Sequence, residues 1–254
     1  MIRLLRNRRR RRLRALPPDP AWERVLEHRF VAFRRLGADD RAELLGHTRV
    51  LLDEKRFEGC GGLELTDEVR VVIAGQASLL LLHRDTDYYP GLLSILVYPD
   101  AYVVPVQFET GGGLVVEEQV DHIGESWDTG SLIVSWKDAL RGAAGQDRGC
   151  NVVLHEFAHQ IDGETGETDG VPRIDDPQLR ERWGRVFERE YDRLCEMADR
   201  RRRTFIDEYG AEHPSEFFAV ATEHFFMEPV TFAKRHPELY RVLSEFWRQD
   251  PCRW

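Results

Sequence analysis

Apolar residues recur at helical intervals along most of the chain. Trp22, Val25, Leu26 and Phe30 make one stripe, and after Asp39-Asp40 a second helix carries Ala42, Leu44, Leu45, Val50, Leu51 and Leu52. Asp67 opens a third helix that runs through Val71, Val72, Ala74 and Leu79 to Leu82. The pattern changes after Tyr89-Pro90-Gly91. SILVYPDAYVVPVQF is rich in β-branched and aromatic residues with Pro99-Asp100 as a turn, which predicts a strand pair. LVVEEQV after Gly111-Gly112-Gly113, and SLIVSW after Gly130, predict two more strands. Helical spacing returns from Ala139 and predicts helices over 147–162, 176–198, 214–227 and 236–248, with the polar, Gly- and Pro-rich stretch 163–176 as a loop. Helices, then a small mixed sheet, then helices again make an α+β fold, mostly helical.

Composition adds a boundary and removes several classes. The 254 residues include 36 basic and 45 acidic side chains, for a net charge of −9. Eight of the arginines fall within residues 1–14, which hold no acid; the other 240 residues therefore carry 28 basic against 45 acidic groups, or −17. Pro17-Pro18 closes this stretch, so the chain divides into an Arg-rich tail, 1–18, expected as disordered, and one domain, 19–254. An acidic body does not suit a phosphate-binding surface, which leaves nucleic acid a question for the tail alone. Three readings of the tail stay open: a solvated arm; an anchor to anionic lipid with Ile2, Leu4, Leu5, Leu13 and Leu16 as apolar contacts; or contact with nucleic acid or an acidic partner. The four cysteines, Cys60, Cys150, Cys195 and Cys252, have no framework spacing and read as reduced thiols, Cys150 as a buried small hydrophobe. No apolar run approaches a membrane span, and no signal-peptide core follows the arginines, so the expected location is the cytoplasm.

The chemistry concentrates in Asn151-Val152-Val153-Leu154-His155-Glu156-Phe157-Ala158-His159-Gln160-Ile161-Asp162. This is H-E-x-x-H inside a predicted helix. Four residues turn a helix by about 400°, so His155 and His159 face the same way and can share one zinc. Glu156, about 100° round from His155, lies beside the metal without having to bind it, placed for general-base work. A catalytic zinc needs a third protein ligand. The candidates are Asp162, the acids of the 164–176 loop, and Glu216 in the first turn of the helix SEFFAVATEHFF. Glu216 is the strongest, because a carboxylate facing inward on an aromatic helix is costly unless paired or metal-bound. A favourable interaction with the positive helix terminus after Pro214 is its plainer alternative. Glu223, seven residues on, shares its face. The remaining histidines, 28, 47, 83, 122, 213, 224 and 236, show no ligand spacing, and Ser131 and Ser135 lack the glycines of a nucleophile elbow.

Tyr209-x6-Glu216-Phe217-Phe218 downstream of His155-Glu156-x-x-His159 resembles the zinc peptidases of the Mlc titration factor A family. In this local pattern only, it is also similar to the peptidase domain of bacterial lethal factor toxins. KRFEGCGGLEL (55–65), LVYPDAYVV (96–104), GESWDTGSLIVSW (124–136), VVLHEFAHQIDGETG (152–166), DGVP (169–172) and FWRQDP (246–251) extend the first resemblance over nearly the whole chain. Residues 1–14 match nothing in it.

The resemblance implies a zincin-like metallopeptidase fold with one Zn²⁺ per chain. It makes His155, His159 and Glu216 the ligands, Glu156 the general base, and Tyr209 the phenol that hydrogen-bonds the oxyanion. Related sites often place a carboxylate shortly after the third ligand to orient a histidine; position 220 is Val, and Asp162 or Glu223 is the candidate for that supporting role. The implied substrate is a peptide or protein, with aminopeptidase and endopeptidase action both open. SLIVSW is either the sheet edge on which a peptide lies or a buried strand. The family name also implies a partner, the glucose-responsive transcription repressor Mlc. That supports a rival reading from another class: a non-catalytic regulatory protein that sequesters such a repressor.

Overall fold

Four helices precede the first strand: α1 (Ile2–Arg14), α2 (Pro20–Arg29), α3 (Val31–Arg35) and α4 (Ala38–Glu54). The computed structural model describes residues 2–100, 102–110, 114–122, 124–127 and 130–254, with side chains from 3 to 100 and from 130 onward. The Gly111–Gly113 turn and the His122 ring fall outside these. Asp19 caps α2 by accepting from the Ala21 N–H at 2.8 Å, and Pro20 presets the first helical φ. Asp39 and Asp40 sit in the first turn of α4, where negative charge is favoured, and α4 buries Leu44, Leu45, Val50 and Leu51.

The Arg-rich segment departs from its expectation as a disordered tail, because it forms α1 and packs along α4. Arg10 is buried. Its guanidinium takes Glu54 through two bonds of 2.7 Å and Asp87 through a third, and its plane lies over the Tyr88 ring at 4.7 Å. Arg49 on α4 donates to the carbonyls of Leu13, Leu16 and Pro17, fixing the exit from α1. The acids that receive α1 lie 29 to 81 positions further along the chain, so no local pattern announces the helix.

Strand β1 (Arg56–Gly59) leads into α5 (Asp67–Leu79), whose N-cap Thr66 accepts from the Val69 N–H. The helix carries the chain back to β2 (Ser94–Tyr98), parallel to β1, as a crossover must. β3 (Tyr102–Thr110) and β4 (Leu114–His122) form a separate antiparallel pair, in register from Tyr102 opposite His122 to Thr110 opposite Leu114. β5 (Gly124–Trp127) and β6 (Ser131–Ser135) return to the main sheet, whose order is β1-β2-β6-β5, with β6 parallel to β2 and antiparallel to β5. The sheet is therefore small and mixed, as expected. SILVY and YVVPV, however, do not pair with each other: Pro99-Asp100 marks an exit from one sheet into another, not a hairpin. SLIVS is an interior strand between β2 and β5, so it is not a free edge; the edges of this sheet among the described strands are β1 and β5.

Six helices complete the chain: α6 (Trp136–Ala143), α7 (Val152–Asp162), α8 (Pro177–Asp199), α9 (Pro214–Met227), α10 (Pro229–Arg235) and α11 (Pro237–Trp247). α7 begins at 152 and not 147, because Gly145, Arg148 and Gly149 take positive φ and form turns before it. Prolines at the first position of α9, α10 and α11 divide the last stretch into three helices, the middle one unforeseen. α9 is buried along almost its full length. Phe217, Phe218 and Phe226 meet Trp183 and Phe187 of α8 and Phe246 and Trp247 of α11, with Phe187 edge-on to Phe217 at 5.5 Å and Phe218 stacked on Trp247 at 6.0 Å, while Phe225 meets Tyr240 of α11. This aromatic packing fixes α9 beneath α7. Among the described residues no helix is long and apolar enough to cross a membrane.

Candidate metal centre

Two caps set where the facing helices begin. Asn151 caps α7, its side-chain oxygen accepting from the Leu154 N–H at 3.0 Å while its Nδ2 donates to Gln76 Oε1 at 2.8 Å. His213 caps α9, its Nδ1 accepting from the Ser215 N–H at 3.3 Å, with Pro214 next. From these starts, His155 and His159 project from one face of α7 toward Glu216 in the first turn of α9.

The three side chains converge. His155 Nε2 lies 3.1 Å from His159 Nε2 and 3.0 Å from Glu216 Oε2, and His159 Nε2 lies 3.3 Å from the same oxygen. A tetrahedral zinc with ligand bonds of ~2.0–2.1 Å would hold its ligand atoms about 3.3 Å apart. The donor set and its spacing thus fit zinc, and His155, His159 and Glu216 are the residues that can hold it. The neighbouring charge fits too. Burial alone would lower the His155 pKa, but the carboxylates of Glu216 and Glu223 raise it well above the usual imidazole range. Burial pushes Glu216 up, yet the two imidazoles outweigh it and hold the carboxyl far below its ordinary value. Such a cluster favours a cation at its centre.

Glu223 supplies the support. Its Oε1 accepts from His155 Nδ1 at 2.8 Å and its Oε2 from the Asn151 N–H. A carboxylate can only accept, so Nδ1 carries a proton toward Glu223, which leaves Nε2 as the nitrogen that would give its lone pair to a metal. Asp162 is buried at the end of α7 but accepts from the Gly170 N–H at 2.8 Å, holding the 163–176 connection and not His159. Burial pushes this carboxyl up to about 6. His159 Nδ1 and Asp162 Oδ1 are both buried without a hydrogen-bond partner among the described residues.

Glu156 is buried beside the cluster, only 5% exposed. Burial raises its pKa, the imidazoles of His155 and His159 pull it back, and Glu216 and Glu223 push it up again. A carboxyl raised in this way is a stronger base than an ordinary glutamate and is placed to accept and release a proton. Tyr209 stands in a 3-10 turn, Glu208–Ala211, whose cap Asp207 accepts from the Tyr209 N–H at 3.0 Å. Its ring centre is 6.0 Å from that of His155, and its phenol is pushed up to about 12 by burial and by the charges of Glu216, Glu212 and Glu156. It therefore stays a protonated donor at neutral pH.

Other candidates lie elsewhere. His224, next to Glu223, turns into the core against Phe205 at 4.8 Å, and burial lowers it to about 4. Cys150 is exposed and not buried as expected, and partial enclosure followed by the charges of Glu223 and Asp207 holds its thiol up to about 12, far from a thiolate nucleophile. Asp40, Glu43 and His83 also cluster. Their carboxylates meet opposite ring nitrogens of His83, at 3.3 and 3.1 Å. Asn151 and Gln76 were not foreseen. An Asn before an apolar helix is a readable cap, obscured by starting that helix at 147; nothing local marks Gln76, whose partner is 75 residues away.

The fold and this geometry define a metallopeptidase-like protein, and the comparisons specify which kind. Residues 4–248 match the family described as glucose-regulated metallo-peptidase M90, and the chain belongs to that family. Its relatives include Mlc titration factor A of Klebsiella pneumoniae, 32% identical over 91% of this chain and 86% of the relative. Mlc titration factor A of Salmonella agona is 33% identical over 85% and 82%. An uncharacterised protein of Synechocystis sp. is 39% identical over 92% and 86%. The match begins at residue 4, so α1 from Leu4 onward lies inside the family pattern, contrary to the expectation that residues 1–14 stand outside it.

Proposed function

We propose that the protein is a zinc-dependent peptidase that hydrolyses peptide bonds, with His155, His159 and Glu216 holding one Zn²⁺. The observation that carries this reading is the convergence of three donor atoms within 3.0–3.3 Å of one another beside a buried glutamate. Zinc, when bound, supplies Lewis acidity and lowers the pKa of water in contact with it to about 7. Glu156 takes a proton from the attacking water and delivers it to the leaving amine, a task its raised pKa suits. Tyr209 donates its phenolic proton in a hydrogen bond to the carbonyl oxygen as that oxygen gains charge. Glu223 holds the His155 ring through Nδ1, so that Nε2 is the nitrogen turned toward the metal.

Metal analysis paired with cleavage of a peptide library tests the assignment. Glu156→Gln should keep zinc and lose hydrolysis, and Glu216→Ala should lose both. Full activity in a metal-free Glu216→Ala protein would overturn it.

A second reading rests on the relatives' name, Mlc titration factor A. It gives the protein a regulatory partner, an Mlc-like transcription repressor, held without need of hydrolysis. Pull-down of such a repressor by Glu156→Gln, with the regulatory phenotype intact, favours it; a phenotype lost along with hydrolysis favours the enzyme.

A further inference from the structure

The eight arginines of α1 divide into two sets. Arg6, Arg9, Arg10 and Arg14 each reach carboxylates of the body: Asp87, Asp53, Glu54 with Asp87, and Glu43 in turn. Arg3, Arg8, Arg11 and Arg12 have no carboxylate at ion-pair distance among the described residues. At about 100° per residue, Leu4, Leu5, Arg8, Arg11 and Arg12 share one arc of about 120°, and Arg6, Arg9, Arg10, Leu13 and Arg14 share the opposite one. The outward arc is not a plain charged face. Leu4 is 75% and Leu5 62% exposed, and Leu16, just beyond the helix, is 51% exposed.

We propose that this outward face of α1 docks on an anionic lipid surface. Two leucines set among three unpaired arginines meet both needs of an interfacial helix: apolar side chains to enter the headgroup boundary and cations to meet lipid phosphates. Duplex nucleic acid would take the arginines but offer nothing to Leu4 and Leu5. The acidic remainder of the chain is repelled by either polyanion, so the leucines decide between them. The inward arginines hold α1 folded on α4, so the face is formed before contact and no helix has to be ordered on docking. Each outward arginine should strengthen partitioning to an anionic surface about fivefold, and the three together about a hundredfold.

Vesicle co-sedimentation of the full chain tests this. Wild type should pellet with vesicles containing phosphatidylglycerol and stay in solution with phosphatidylcholine alone. Arg8→Gln with Arg11→Gln and Arg12→Gln should weaken binding about a hundredfold, and Leu4→Ser with Leu5→Ser by at least about tenfold. Unchanged circular dichroism would show that both variants keep the fold. Equal binding to the two vesicle types, or no binding to either, would overturn the proposal. So would a leucine variant that binds like wild type, or duplex DNA shifted in a gel by wild type and leucine variant alike while vesicles are ignored.

Discussion

Glu223 touches the candidate metal centre from outside its three converging donors. It lies seven residues after Glu216 on α9 and joins the His155 ring to the cap of α7, so one carboxylate holds both the ring and the helix start. Glu223→Gln should therefore fold normally yet bind zinc about 10–100-fold more weakly, read by competition with a chelator; equal affinity would reduce Glu223 to a packing role. The role proposed for Tyr209 lies at the other end of the reaction. Tyr209→Phe removes only a half-exposed hydroxyl, so stability should hold while kcat falls about 10²–10³-fold with KM little changed. Steady-state kinetics on one cleaved peptide would show it, and a rise in KM alone would make the phenol a binding group. Not all these residues were equally legible. His155, Glu156 and His159 follow from spacing because one helix relates them. Glu216 was the best of several candidates, and the role of Tyr209 needed a family resemblance, since 50 residues of chain separate it from His159. The carboxylate support was narrowed to Asp162 or Glu223, and only the fold shows which one reaches a histidine.

Among elements, local pattern located most helices but not their partners. β-Branched and aromatic enrichment between turn residues marks β2, β3, β4 and β6, yet composition alone does not say which strand lies beside which. Pro99-Asp100 thus reads locally as a hairpin turn although β2 and β3 belong to different sheets. α1 escaped notice for a related reason: its partners are the carboxylates of α4 and of the stretch before β2. Glu43 on α4 ties several of these elements together, meeting Arg14 of α1, His47 of its own helix and His83 after α5. The His47 Nε2–H bond and neighbouring positive charge overcome burial and lower its pKa from 4.5 to about 2. The folded pKa is the lower one, so this contribution is complete above pH 4.5 and is lost as pH falls toward 2. It is worth at most about 3 kcal/mol before solvent screening of a partly exposed group. Melting curves across that window should fall for wild type and be flatter for Glu43→Gln; parallel curves would remove Glu43 from the acid limb. The link between the 163–176 connection and α9 is steric. Gly170 has φ +80, and a Cβ there would lie 2.4 Å from the Pro214 carbonyl oxygen. Gly170→Ala should displace the start of α9, costing about 1–3 kcal/mol and weakening zinc binding along with it. Calorimetric melting would show the first effect and chelator competition the second, and a variant as stable as wild type would mean the loop yields freely.

At the scale of the whole molecule, the metal would bridge two helices that the core already holds together. A ligand that binds only the folded state at about a hundred times its Kd stabilises it by about 2.7 kcal/mol, and for a chain of this size that is a Tm shift of about 5–10 °C. Chelation should lower the Tm by that amount, zinc should restore it, and Glu216→Ala should show no zinc-dependent shift. An equal shift in that variant would place the metal elsewhere.

The docking of α1 also gives the molecule an electric dipole. Unpaired arginines gather on one helix while the chain as a whole carries −9. A molecule so polarised has no single surface sign. It would be held by a cation exchanger through α1 and by an anion exchanger through the rest, and would turn its helix toward any negatively charged wall before touching it.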